Sequence, residues 1–195
     1  MVMEKSREKK NILLDVAQRI FARFGLFKTT LDEIAKAARM GKSSIYYYFK
    51  SKEDIFKAVL EKEIKTLKEK IATAMLEAKS PQEKLKKFII ARMKYMKELA
   101  NIYGALKDEY LKHYAFIQKL RENYDNEEIN IVKNILQEGI KQKVFFIKDL
   151  ELTSFAIATA IKGLEYDWAI NVEEKKLEEN INSLLEVLFY GITKR

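Results

Sequence analysis

The sequence predicts an all-α protein of about nine helices, and three observations carry that expectation. A single proline and six glycines among 195 residues leave too few turn formers for a strand-rich fold. Alanine, leucine, lysine and glutamate, all good helix formers, recur throughout. Apolar residues return at helical spacing along most of the chain, beginning with Ile12, Leu13, Val16, Ala17, Ile20, Phe21 and Phe24.

The helix stripe ending at Phe24 meets Gly25, a helix stop. Thr30 stands three residues before Glu33, the spacing of a capping box, and opens a second helix with Leu31, Ile34, Ala35 and Ala38 turned inward. Arg39-Met40-Gly41 is a short connection to a third helix over about 42–49. Ser51 then caps a fourth helix carrying Ile55, Val59, Ile64, Leu67, Ile71 and Met75. Ser80-Pro81-Gln82-Glu83 supplies an N-cap, a first-turn proline and an acidic third position for a fifth. That fifth helix covers about 82–99, and further helical patterns cover 101–113, 115–141, 149–169 and 174–192.

Charge divides the chain. Residues 1–52 hold twelve Lys/Arg against five Asp/Glu, a net of +7, whereas residues 53–195 hold twenty-five against twenty-four. A basic module on a near-neutral body points to a polyanionic partner for the module. The division expected from charge is therefore a basic module over residues 1–52 and a near-neutral body over residues 53–195. With no cysteine, disulfides and thiolate metal sites are excluded. His113 is the only histidine, so no metal site or cofactor is expected. No nucleotide-binding or hydrolase motif is present, which argues against an enzyme. Glu127-Glu128 and Glu178-Glu179 read as solvated surface pairs. No segment has the apolar length of a membrane span or signal peptide, so a cytoplasmic location is expected.

Two short helices joined by a tight turn and braced by a longer one make a helix-turn-helix, whose second helix enters the DNA major groove. That second helix must be polar at its start and anchored on its inner side. Lys42-Ser43-Ser44-Ile45-Tyr46-Tyr47-Tyr48-Phe49 meets both needs, with Ile45 and Phe49 as anchors one turn apart.

Phe21-Ala22-Arg23-Phe24-Gly25, Thr29 through Ala38, Lys42 through Phe49 and Lys50-Ser51-Lys52-Glu53 together resemble the tetracycline-repressor (TetR) family of bacterial regulators. The resemblance implies that Lys42, Ser43, Ser44 and Tyr46 face bases or phosphates. It assigns varied roles to Tyr47 and Tyr48, one of them supporting packing, and a backbone contact to Lys52 at a helix start. Thr30 would offer its backbone N–H region to a phosphate. The family usually has glycine at Arg39 and serine or threonine at Gly41. Arg39 is therefore expected in a left-handed conformation, and it stands in for the phosphate contact that a hydroxyl at 41 would make.

The resemblance also implies a homodimer that binds a palindromic double-stranded DNA operator, with a small apolar or aromatic effector held in the body. Phe88, Tyr95, Met96, Tyr103, Tyr110, Phe155 and Tyr166 are the candidate effector contacts. Ala156, Ala160, Leu177, Ile181, Leu184, Leu185 and Leu188 are the candidate dimer contacts. The function expected is a ligand-responsive regulator, a repressor. The alternative is a helical small-molecule or lipid-binding module, or enzyme, whose basic N-terminus only solubilises it.

Overall fold

The computed structural model describes residues 2–191, with the side chains of 2, 3, 97, 99–118, 120, 166, 169 and 170 outside the description. Seven helices are present among these residues: α1 (Val2–Phe24), α2 (Leu31–Ala37), α3 (Lys42–Tyr48), α4 (Lys52–Leu76), α5 (Pro81–Lys141), α6 (Leu150–Asn171) and α7 (Glu174–Tyr190). The all-α class holds. Three segments expected to be separate, at 82–99, 101–113 and 115–141, run together as α5. No proline follows Pro81, and a lone glycine such as Gly104 costs a helix only about 1 kcal/mol, too little to break it.

The chain divides into two compact units. One comprises the residues up to Lys65 together with Leu99–Leu120; the other comprises Thr66–Glu98 together with the residues from Arg121 onward.

In the first unit, Leu13, Val16, Ala17 and Phe21 of α1 enclose a core with Leu26, Ile34, Ala35, Ile45 and Phe49. Ile55, Phe56 and Val59 of α4 complete it, the Phe56 ring standing edge-on to Phe21 at 5.4 Å. Two members of the expected α1 stripe, Ile12 and Phe24, lie about half exposed at its margins. Arg23 covers the Phe24 ring, its guanidinium 5.0 Å from the ring centre.

Glu63, also buried in this unit, accepts a hydrogen bond from Gln18 Nε2. Burial pushes its carboxyl up from 4.5 to about 7, against the opposing pull of Gln18 and Lys62. Folding thus takes up a proton between those two values, so this residue's contribution to stability falls as pH rises through that window. Glu63→Gln is expected to raise stability at pH 8 by about 1–3 kcal/mol and to flatten the profile between pH 5 and 7. Urea unfolding across pH reads both effects, and an unchanged profile would remove Glu63 as their source.

In the second unit, Ser80 caps α5 by accepting from Glu83 N at 3.1 Å. Its core joins Leu85, Phe88, Ile89, Met93 and Met96 of α5 to Val132, Ile135 and Leu136 further along that helix. Ile157, Ala158 and Ile161 of α6 and Leu177, Ile181 and Leu185 of α7 are buried in the same unit.

Candidate nucleic-acid interface

The helix-turn-helix head, α1 to α3 with the start of α4, is set by its caps and turns. Gly25 closes α1 at φ 82, a conformation glycine adopts without strain, and its N–H donates to Phe21 O at 2.9 Å. The buried Thr29 hydroxyl donates to Gly25 O at 2.7 Å. Thr30 forms the expected capping box: Glu33 N donates to Thr30 Oγ1 at 3.2 Å, and Thr30 N donates to Glu33 Oε2 at 2.7 Å. The Thr30 backbone and hydroxyl bonds hold the Glu33 carboxyl below its ordinary value, because both favour its charged form.

Arg39 lies between α2 and α3 at φ 53, in the left-handed region. This placement lets Met40 N donate to Ala35 O at 3.0 Å and close the turn. Arg39→Gly is expected to relieve about 0.5–1 kcal/mol of strain and to raise the melting temperature by a few degrees. A lower melting temperature would show that the arginine side chain contributes more than its backbone costs.

Gly41 caps α3 without a side-chain bond. Ile45 and Phe49 are buried, as the anchor role requires. The opposite face carries Lys42, Ser43, Tyr46 and Tyr47, all exposed, with Ser44 exposed beside them. Tyr46 is 51% and Tyr47 78% exposed, an unusual state for tyrosines with nothing to contact. Tyr48 is the packing tyrosine: it is half-buried, its ring meets Tyr47 edge-on at 4.9 Å, and its hydroxyl accepts from Ser6 Oγ at 3.3 Å.

Two lysines are engaged within the head. Lys42 reaches Asp32 of α2 at 2.9 Å, and that hydrogen bond and charge hold its ammonium above its ordinary pKa. Both groups are exposed, so the pair is weak enough for a phosphate to replace Asp32. Lys52 Nζ donates to Thr29 O at 2.8 Å and Phe27 O at 3.5 Å, bracing the loop before α2.

Sequence reasoning missed the first turns of α1, which begins at Val2, well before the apolar stripe. Ser6 meets the last turn of α3, and Lys10 lies over the Phe49 ring at 5.1 Å. Lys5, Arg7 and Lys9 are exposed on the same turns. The excess charge of the first ten residues was the available signal.

The effector candidates do not converge on one described cavity. Phe88 and Met96 are buried in the second unit's core. Tyr95 is half-buried under the Lys70 ammonium at 4.3 Å and lines a surface cleft with Lys86, Lys87, Ile90 and Lys94. Phe155 is 54% exposed. The side chains of Tyr103, Tyr110 and Tyr166 lie outside the described residues. A separate cavity of about 580 Å³ is lined by Leu136, Phe145, Ile157, Leu188 and Phe189, with none of the candidate aromatics.

Glu128 corrects the reading of Glu127-Glu128 as a solvated pair. Glu127 is exposed and pairs with Lys68, whereas Glu128 is buried against Arg92. Adjacent helical positions differ by about 100°, so one can face water and the other the core.

The dimer candidates also separate by face. Leu177, Ile181 and Leu185 are buried within the chain, and Leu184 is half-buried. Ala156, Ala160 and Leu188 are exposed, alongside Leu152, Phe155, Thr159, Gly163 and Val187. The exposed α6 residues recur at helical spacing, one apolar and small-residue stripe from Leu152 to Gly163.

Comparison with known proteins agrees with the head. Residues 13–59 match the model of the bacterial regulatory proteins of the tetR family. The HTH-type transcriptional regulator QacR of Staphylococcus aureus is 26% identical, with 95% of this chain and 98% of that protein covered. The fatty acid metabolism regulator protein of Bacillus subtilis is 27% identical over 97% of this chain and 98% of its own length. The crystal structure of the transcriptional regulator FadR from Bacillus subtilis in complex with stearoyl-CoA superposes with a TM-score of 0.71. It is 26% identical, covering 93% of this chain and 98% of that one. Motif and head geometry agree with that match: residues 13–59 are those of the tetR family model of bacterial regulatory proteins, and the chain along most of its length is similar to transcriptional regulators.

Proposed function

We propose that the protein is a cytoplasmic, ligand-responsive transcriptional repressor that binds a palindromic operator as a homodimer. The carrying observation is the two-faced α3: Ile45 and Phe49 fix it to the core while Lys42, Ser43, Tyr46 and Tyr47 stand in solvent. In this reading residues 1–52 form the DNA-binding domain and residues 53–195 the effector and dimerisation domain. Lys42, Ser43, Ser44 and Tyr46 enter the major groove, and Tyr47 contacts its margin. Thr30 and Arg39 meet phosphates from the ends of α2, and Tyr48 positions the helix. Lys52 acts chiefly by holding the Phe27–Thr29 loop in place. Lys5, Arg7 and Lys9 add backbone contacts.

The dimer forms through the exposed faces of α6 and α7. Ala156, Thr159, Ala160 and Gly163 allow close approach of a second helix, and a Cβ added at Gly163 would meet nothing within 4 Å inside the chain. Leu184 and Leu188 contribute at the edge, while Leu177, Ile181 and Leu185 support the face from behind. Ala156→Arg/Ala160→Arg is expected to yield a folded monomer whose operator affinity falls by about 100-fold or more, because two half-sites are no longer read together. Sedimentation and circular dichroism check this; a variant that remains dimeric would move the interface elsewhere.

The effector we propose is a long-chain acyl compound, supported by the relatives concerned with fatty acid metabolism and by the FadR complex. An effector can act only by binding the DNA-releasing conformation more tightly than the DNA-bound one. The test adds stearoyl-CoA to the protein bound to duplex DNA selected from a random pool. Release of the DNA is expected, and a complex that persists with acyl thioesters of every length would reject the acyl effector.

A further inference from the structure

The second unit buries a compact set of charges. Arg92, on the N-terminal part of α5, is 0% exposed. Its Nε donates to Glu128 Oε1 at 2.5 Å, and its Nη2 donates to Glu128 Oε2 at 2.9 Å and Glu165 Oε2 at 2.8 Å. Arg121 donates to both oxygens of Glu165, at 3.2 and 2.9 Å. The Tyr124 hydroxyl donates to Glu128 Oε1 at 2.5 Å. At the margin, Lys162 donates to Asp125 Oδ2 at 2.5 Å.

Buried charges persist when their hydrogen-bonding capacity is met. Two members leave capacity unmet among the described residues: Asp125 Oδ1, at the margin, accepts no hydrogen bond, and Nη1 of Arg92, with two N–H groups at the centre of the set, meets no acceptor. The guanidinium cannot shed its proton, and the Glu128 and Glu165 carboxylates outweigh burial in holding it charged. The same helical faces are otherwise apolar and buried. Phe88 and Met96 lie one turn either side of Arg92, Val132 one turn beyond Glu128, and Ile161 one turn before Glu165.

We propose that Arg92 Nη1 is the polar anchor for the effector, and that it takes an uncharged acceptor oxygen on an apolar molecule: the carbonyl of an ester, thioester or amide. This rests on the effector-binding reading above and specifies which group the effector must present. Charge selects the class. Arg92, Arg121 and Lys162 balance Glu128, Glu165 and Asp125 among the described residues. A free carboxylate would bring an unmatched charge into this buried set, whereas a carbonyl fills the donors and adds none.

The test measures binding of methyl dodecanoate, dodecanoate and dodecane through the fluorescence of Trp168, the only tryptophan. The wild type is expected to bind the methyl ester at least about tenfold more tightly than either alternative. Arg92→Met/Glu128→Gln removes one charge of each sign and leaves Glu165 paired with Arg121; Arg92→Lys keeps the charge without Nη1. In whichever of these retains its helicity and cooperative melting, the ester advantage is expected to disappear while dodecane still binds. Equal binding of ester and dodecane by the wild type, preference for the carboxylate, or survival of the ester advantage in a folded variant would overturn the anchor alone. If none of the three molecules binds the wild type, the apolar-effector reading fails, and the anchor fails with it.

Discussion

Arg92→Met is expected to cost about 3–5 kcal/mol of stability, more than any other single substitution considered for this protein. The reason is what it leaves behind. Glu128 would lose two of its hydrogen bonds and its only described cationic partner while remaining buried. Glu165 would keep Arg121. Adding Glu128→Gln removes the stranded charge, so the double variant is expected to recover much of the loss. Equilibrium urea unfolding of both variants checks the pair; equal losses would mean that packing by the arginine stem, and not its charge, dominates.

The same network sets an acid limit. Burial alone would raise the Glu165 carboxyl, but the guanidiniums of Arg92 and Arg121 outweigh it and hold the group at about 2. Its stabilising contribution is therefore complete above the ordinary carboxylate range and is lost as pH falls from 4.5 toward 2.

Lys42→Ala/Tyr46→Ala is expected to weaken operator binding by about 100-fold or more, since a lost base or phosphate contact typically costs 1–3 kcal/mol. Neither side chain supports the core: Lys42 makes an exposed pair with Asp32, and Tyr46 is half in solvent. Stability should change by less than about 1 kcal/mol, because an exposed ion pair contributes little. Losing the positive charge of Lys42 should also make binding less salt-dependent by about one counterion. Undiminished affinity would place the DNA surface elsewhere on the head.

The head was legible because its signals are local. A capping box, a glycine stop and anchors four residues apart are each set within one or two turns, so Thr30, Gly25, Ile45 and Phe49 behave as their spacing predicts. Even the strained Arg39 follows from the absence of glycine in a tight turn. The body was less legible because its decisive contacts are long-range. Nothing near Glu128 in sequence announces that it meets Arg92, 36 residues away, or that Glu165 completes the set 73 residues from Arg92. Periodicity located the apolar stripe of α7 but could not divide it between a face turned to its own chain, Leu177, Ile181 and Leu185, and one left open at Leu188. The beginning of α1 was obscured for a related reason: its first turns carry charge in place of an apolar period, and the contacts of Ser6 with Tyr48 and of Lys10 with the Phe49 ring show where they lie.

The measurement that bears most directly on a DNA-reading regulator is selection of bound fragments from random duplex DNA at two salt concentrations, with Lys42→Ala/Tyr46→Ala in parallel. Enrichment of a palindrome by the wild type, weakened steeply by salt and not enriched by the double variant, is the predicted result. No enrichment, or equal enrichment by the folded double variant, would contradict the assignment of α3 as the helix that reads DNA.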